Sequence, residues 1–441
     1  MSPSELMAIA MVVVFFAMLI IGIPVGIGLA ISAIFFGYIG FGPLLFNLLP
    51  SRVYGVVTNY TLMAIPLFVF MGVMLEKSRL AEELIDVVGH LFGRISGGMG
   101  VAIVFVGVLL GAATGIVGAT IVTLGLLTLP TLLRRGYPKT IASGMICASG
   151  TLGQIIPPSL VLILLADILQ KSVGTMFAAA MVPGLVLAAV YLLAVLAYGW
   201  WRPDAMPPIP ASERDGLSTA ALIKKVVFVV TPPLGLVAAV LGSIIGGIAA
   251  PTEAASMGAV GALAFVALSG RLSFSMLNDV ARSTLLITAM VFFILICAQA
   301  FGLAFRGLGG EGLVERMFEW VPGGVNGALL FMLLLVFVLG FFLEWIEITY
   351  IALPLFLPFF MHAGVDPVWL GVLICLNLQT SFLTPPFGWS LFFLKGVAPP
   401  GVSTLDIYKG VIPFIGLQFL ALLLVFLFPG LATWLPAAIG W

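Results

Sequence analysis

Charge is scarce in this sequence. Aspartate, glutamate, lysine and arginine together make up 8% of its 441 residues, where a soluble globular chain carries about 25%. The two signs balance at 18 each, so there is no net field to attract nucleic acid. Histidine occurs twice and cysteine three times. Cys147, Cys297 and Cys375 all lie in apolar runs, which argues against a disulfide framework or a metal site. There is no G-x-x-x-x-G-K-[ST] phosphate loop, and no Ser/His/Asp set or metal cluster that would mark an enzyme. Any work the protein does must draw on an ion gradient or a partner.

Apolar side chains make up 62% of the chain and its mean hydropathy is +1.26. That leaves no room for a large soluble domain. In lipid every backbone polar group must be paired within the protein, so only helices and closed barrels span it. The apolar runs are long and do not alternate in polarity, which favours helices over a barrel. The expected fold is therefore an all-α polytopic membrane protein. Its first apolar run starts at Leu6 with no basic region before it, and is read as a retained membrane helix.

Two short amphipathic segments interrupt the pattern, Ser78 to Arg94 and Glu311 to Trp320, each with apolar residues at helical spacing and acids on the other face. A proline-rich linker, 201–225, divides the chain near its middle. The halves repeat. Gly136, Ile146, Cys147, Pro157 and Pro158 meet the same residue types 228 positions later, at Gly364, Ile374, Cys375, Pro385 and Pro386. Gly97-Gly98 maps to Gly323-Gly324, Pro24 to Pro251 and Gly111 to Gly340 at nearly the same shift.

This register predicts two inverted repeats, 1–200 and 226–441. The first holds scaffold helices over 1–75, an arm helix over 78–94, a hairpin over 98–135, a broken helix over 141–168 and a closing helix over 176–200. In the second, the scaffold spans 226–305, the arm 310–320, the hairpin 324–361, the broken helix 368–398 and the closing helix 407–435. Each hairpin is expected to be re-entrant, because Gly111 to Gly118 and Gly340 to Glu344 break an otherwise apolar run. Each half then crosses the membrane an odd number of times, so the second is inverted. With the N-terminus outside, only Arg52, Lys171, Arg306 and Arg316 fall on the outer side, and the other fourteen basic residues face the cytoplasm.

Matched discontinuous helices point to a transporter's binding site. A Pro-Pro pair removes two backbone donors and breaks the helix before it. The freed carbonyls suit a hard cation such as sodium, and the half-helix that follows offers the positive end of its dipole to an anion. Candidate substrate contacts are therefore Thr151, Gln154, Pro157, Pro158 and Ser159 at the first break, and Gln379, Thr380, Thr384, Pro385 and Pro386 at the second. Candidate ion ligands are Thr114, Gly115, Gly118 and Thr120 at the first hairpin tip, Gly150 and Gly153 beside it, and Glu344 and Thr384 at the second. Glu344 and Glu347 share a helix face within an apolar run, where carboxylates are costly and usually functional. Glu253 is placed to cap a helix or to bind an ion. Asp167 and Lys171, four apart, are expected to pair.

These segments resemble those of the large membrane subunit of tripartite ATP-independent periplasmic (TRAP) transporters, over nearly the whole chain. The resemblance is carried by Gly22-Ile-Pro24-Val-Gly26, the tip Gly111 to Thr120, Leu129-Pro130 with Gly136-Tyr137-Pro138, Ile155-Ile-Pro157-Pro158-Ser159, Ala250-Pro251-Thr252-Glu253-Ala254-Ala255, Gly364-Val365-Asp366-Pro367 and Leu383-Thr384-Pro385-Pro386-Phe-Gly388. It implies sodium-coupled uptake of a small organic anion by an elevator-type motion, with sodium as coupling ion and no other cofactor. It further implies a small TRAP membrane subunit, a periplasmic substrate-binding protein and a place among the lipids of a bacterial or archaeal inner membrane. The sequence departs from the family's usual pattern at Gly118-Ala119-Thr120, where a serine-rich tip is common, at Gln154, where proline is common, and at Glu344, where aspartate is common. The competing expectations are a stand-alone sodium- or proton-coupled anion carrier, and a membrane-embedded enzyme or scaffold.

Overall fold

The computed structural model describes residues 2–210 and 219–441. Arg214, counted above among the cytoplasmic charges, lies outside the described residues. Every regular element among them is a helix. Eight helices are long and apolar enough to cross a membrane, or up to ten if each of two bent pairs counts as one span. They include Pro3–Ile20, Val173–Trp201, Pro251–Leu268, Phe274–Gly307 and Thr404–Leu427.

The described helices lie along the chain as follows. The arms are Leu80–Phe92 and Gly310–Glu319. Each starts after a residue in the left-handed region, Arg79 at φ 60° and Gly309 at φ 84°, where the chain turns sharply out of the preceding helix. The first hairpin is Gly98–Thr114 followed by Val117–Arg134, and the second is Gly324–Leu339 followed by Trp345–His362. The broken helices are Lys139–Thr151 with Leu160–Ile168, and Pro367–Leu383 with Trp389–Val397.

Three details differ from the sequence reading. The second apolar run ends at Phe41, because Gly42 and Pro43 stop it, and Leu44–Val57 forms a helix of its own, bent by 52° from Thr61–Lys77. The closing helix of the second half stops at Leu427 before Pro429, and Gly430–Ala438 follows as a separate helix. The start of the linker, called only a divider above, is held in place by two backbone hydrogen bonds. Gly97 N–H donates to Met206 O at 3.0 Å and Ile209 N–H to Gly93 O at 2.8 Å, with both Met206 and Ile209 buried. The linker is thereby fixed to the junction between the first arm and first hairpin.

The halves interleave. Lys139–Thr151 packs against Thr404–Leu427 of the second half, and Pro367–Leu383 packs against Val173–Trp201 of the first. Glycine makes these approaches possible: a Cβ on Gly144 would strike the backbone of Gly410. Two ion pairs tie the arms to the scaffold of the opposite half. Arg271 bonds Glu83 of the first arm and donates to Ser78 O at 3.0 Å, while Arg316 of the second arm bonds Glu5 at 2.6 Å.

Candidate functional site

Both breaks are built alike. Lys139–Thr151 ends in a 3-10 turn, Leu152–Gln154, before Pro157-Pro158. Pro367–Leu383 ends just before Pro385-Pro386, and both Pro-Pro peptides are cis. The carbonyls three residues ahead of each Pro-Pro pair are satisfied by protein. Ser159 Oγ donates to Gln154 O at 2.6 Å, and Ser390 Oγ donates to Phe382 O at 2.7 Å. Gln154 O also accepts from Cys375 Sγ of the opposite half at 3.2 Å. These two carbonyls are therefore engaged within the protein, which fits the rule that backbone acceptors do not stay unpaired in lipid.

The breaks differ in exposure. Pro157 and Pro158 are buried, whereas Pro385 is half-buried and Pro386 exposed, with Tyr408 OH donating to Pro386 O at 2.7 Å. Repeat mates meet between them. Gln379 Nε2 donates to Thr151 Oγ1 at 3.3 Å, across the 228-residue shift that relates the halves. Gln418 Nε2 donates to the same hydroxyl at 3.4 Å. Thr151, Gln154, Ser159, Gln379 and Thr380 are all at most 1% exposed, and neither side-chain polar atom of Gln154 finds a partner. Thr380 Oγ1 donates to Leu376 O and Thr384 Oγ1 to Thr380 O, at 2.8 and 2.7 Å.

Each hairpin crosses its own broken helix at equivalent glycines. A Cβ on Gly111 would lie 2.6 Å from Gly153 Cα, and one on Gly340 would strike the Ser381 hydroxyl. Ser381 stands 228 residues beyond Gly153, so the crossing itself is repeated. The first tip is closed by Gly115 at φ 61°, a left-handed turn that suits glycine. Thr114 Oγ1 and Thr120 Oγ1 lie 3.2 Å apart across it, both buried, and Thr120 Oγ1 also donates to Ile116 O at 3.1 Å. Gly150 lies under Ile121 of the same hairpin, and Gly118 lies against the Phe393 ring. The first tip thus unites Thr114, Gly115 and Thr120, while Gly118 faces the other half.

The second tip carries charge. Glu344 precedes the short turn Trp345–Glu347, and a π-helical turn, Ile348–Ala352, follows. Such turns inside helices occur frequently at functional sites. Glu347 is 3% exposed and its Oε2 has no hydrogen-bond partner.

One cavity of about 330 Å³ joins these parts. Its wall holds Ile116 to Ala119 and Val122 from the first tip, Glu344 to Ile346 from the second, and Phe382 and Phe393 from the second broken helix. Leu160 closes it from the first broken helix, and Ile287, Met290 and Val291 from the scaffold helix Phe274–Gly307. Of the candidate residues, Gly118 and Glu344 stand on the wall, while those of both breaks do not. Two wall helices begin there, at Val117 and Leu160, and neither N-terminus is capped by a side chain. Their first amides keep their donors free, the arrangement that favours an anion.

Sequence reasoning missed the apolar wall, since isoleucine, phenylalanine and methionine carry no signal in a chain this rich in them. It also misassigned Asp167. That carboxylate accepts from Asn59 Nδ2 at 2.6 Å and Tyr350 OH at 2.7 Å, joining the first broken helix to the scaffold and the second hairpin; Lys171 is not its hydrogen-bond partner. Glu253 acts as a cap, accepting from Ala250 N–H at 2.9 Å.

Residues 12–431 match the family model described as Tripartite ATP-independent periplasmic transporter, DctM component. The chain belongs to this family. It is similar to the C4-dicarboxylate TRAP transporter large permease protein DctM of Pseudomonas aeruginosa, at 31% identity over 91% of this chain and 92% of that one. It is also similar to the ectoine TRAP transporter large permease protein TeaC of Halomonas elongata, at 30% identity over 97% and 99%. Among solved structures it resembles the Alcanivorax borkumensis YdaH transporter, with a TM-score of 0.61, 16% identity and 88% of each chain covered. At that identity the likeness speaks for the fold alone. The protein is thus a multi-pass inner-membrane transporter permease of the TRAP family.

Proposed function

We propose that this permease is the large subunit of a sodium-coupled secondary transporter that imports an organic acid handed over by a periplasmic binding protein, with a small membrane subunit as its second partner. The observation that carries the reading is the convergence of both hairpin tips and both broken helices on one cavity against a scaffold helix. Relatives named as permeases for C4-dicarboxylates, ectoine and sialic acid support a small organic acid as cargo.

The free amides at the starts of the Val117 and Leu160 helices are suited to the acid's carboxylate. Sodium would be held by oxygens near the first tip, where Thr114 and Thr120 stand together, and near the second tip, where the Glu347 oxygen has no hydrogen-bond partner and Glu344 stands three residues before it. The motion proposed is of the elevator type. Hairpins and broken helices cross closely at Gly111 and Gly340 and would move as one body, guided by the two arms. Uptake by the permease reconstituted with its two partners should require sodium, and uptake undiminished in sodium-free buffer would overturn the coupling.

A further inference from the structure

The scaffold meets the hairpins and broken helices at close glycine contacts, such as Gly72 against the Thr114 backbone. Among the described residues, one side-chain hydrogen bond crosses between these two sets of helices: Asn59 Nδ2 donates to Asp167 Oδ1 at 2.6 Å. Asn59 stands on the scaffold, between Leu44–Val57 and Thr61–Lys77. Its own Oδ1 accepts from Thr61 N–H at 3.0 Å, which fixes the carboxamide and aims Nδ2 at the carboxylate. Asp167 ends the first broken helix, and its other oxygen accepts from Tyr350 OH at 2.7 Å. Tyr350 lies in the π-helical turn that follows Glu347 on the second hairpin. The three side chains border a polar cavity of about 240 Å³ that Arg52, Gln170 and Gln299 also line.

We infer that the Asn59–Asp167 bond is a latch, which holds the first broken helix and the second hairpin against the scaffold in this conformation and opens each time they move. This rests on the carrier reading above and adds to it the pair that sets the balance between its two states. A short hydrogen bond to a carboxylate is among the strong ones. This one joins a fixed segment to a moving one, so it stabilises one state and not the other, and only such a differential contact shifts an equilibrium. The Tyr350 bond lies within the moving segments and travels with them. It favours neither state, and it keeps a donor on the carboxylate after the latch opens. Because the pair borders a polar cavity, water can take the place of Asn59 as the two part, so opening leaves no dry, unpaired charge. Asp167 is thus a positioning residue that touches neither cargo nor ion.

The test reads which side of the membrane the central cavity faces. Ala119→Cys permease, with its two partners in oriented vesicles, is labelled by an impermeant thiol reagent from each face, and the ratio of the two rates is taken. Adding Asn59→Ala should shift that ratio by about tenfold, as fits the loss of one hydrogen bond to a charged group. Asn59→Asp sets two carboxylates face to face and should shift it further in the same direction. Asn59→Ala with Asp167→Asn should shift it no further than Asn59→Ala alone, since a single bond is at stake. Tyr350→Phe should lower thermal stability and leave the ratio unchanged, a split that a merely structural role for the cluster would not give. An unchanged ratio in both Asn59 variants, or an equal shift in Tyr350→Phe, overturns the latch. A parent ratio that responds to sodium and substrate while the Asn59 variants match it sinks the latch alone. A parent labelled from one side under every condition sinks the moving carrier on which the latch rests.

Discussion

The two hairpins share a backbone plan and differ in chemistry. Each crosses its broken helix at a glycine, Gly111 over Gly153 and Gly340 over Ser381. The first tip offers neutral hydroxyls, Thr114 and Thr120, held 3.2 Å apart by a left-handed turn. The second offers two carboxylates and a π-helical turn. Glycine is needed at both crossings, since a Cβ there meets another chain segment. The side-chain groups at the two tips differ, hydroxyls at one and carboxylates at the other.

Several substitutions would break or sharpen this contrast. The largest effect is expected at the first crossing. Gly111→Ala puts a methyl 2.6 Å from Gly153 Cα, a backbone atom that cannot step aside. It should cost about 1–3 kcal/mol or more, as overpacking does, and lower the melting temperature of the purified permease sharply. Gly340→Ala meets Ser381, whose Cβ would lie 2.7 Å from the new methyl and does not move when the hydroxyl rotates, so a loss of similar size is expected; a protein that tolerates it would mean that the two crossings are not equivalent. Next comes the acidic tip. Glu347→Gln should reduce sodium-dependent uptake by about tenfold, the effect of one lost interaction of about 1.4 kcal/mol. Thr114→Val should lower apparent sodium affinity more modestly, and a reversed order would contradict the assignment of the charged tip. Asn59→Ala removes one of the two donors to Asp167. It should cost about 0.5–1.5 kcal/mol, visible as a small shift in thermal stability. The smallest effect belongs to Arg316→Ala, which breaks a half-exposed ion pair with Glu5 worth about 0–1 kcal/mol.

What could be read from the sequence was backbone chemistry. Pro157-Pro158 and Pro385-Pro386 lack donors, and each stands where a helix of the structure has just ended. The 228-residue register survives as a physical contact between Thr151 and Gln379. The cavity was not legible, because its wall is mostly apolar side chains drawn from five separate elements. The polar residues nearest the first Pro-Pro pair drew attention instead, and they lie buried and are not part of that wall. Asp167 shows the limit of local spacing. Lys171 was near in sequence, but Asn59 and Tyr350, brought in by the fold, hold the carboxylate.

The account turns on a cavity that is carried across the membrane. Cys147, Cys297 and Cys375 are all buried, so a single cysteine at Ala119 on the cavity wall can be probed against a quiet background. In oriented vesicles, a membrane-impermeant thiol reagent should reach Ala119→Cys from either side, with sodium and substrate shifting which side reacts. Labelling from one side only, under every combination of sodium and substrate, would contradict a moving carrier.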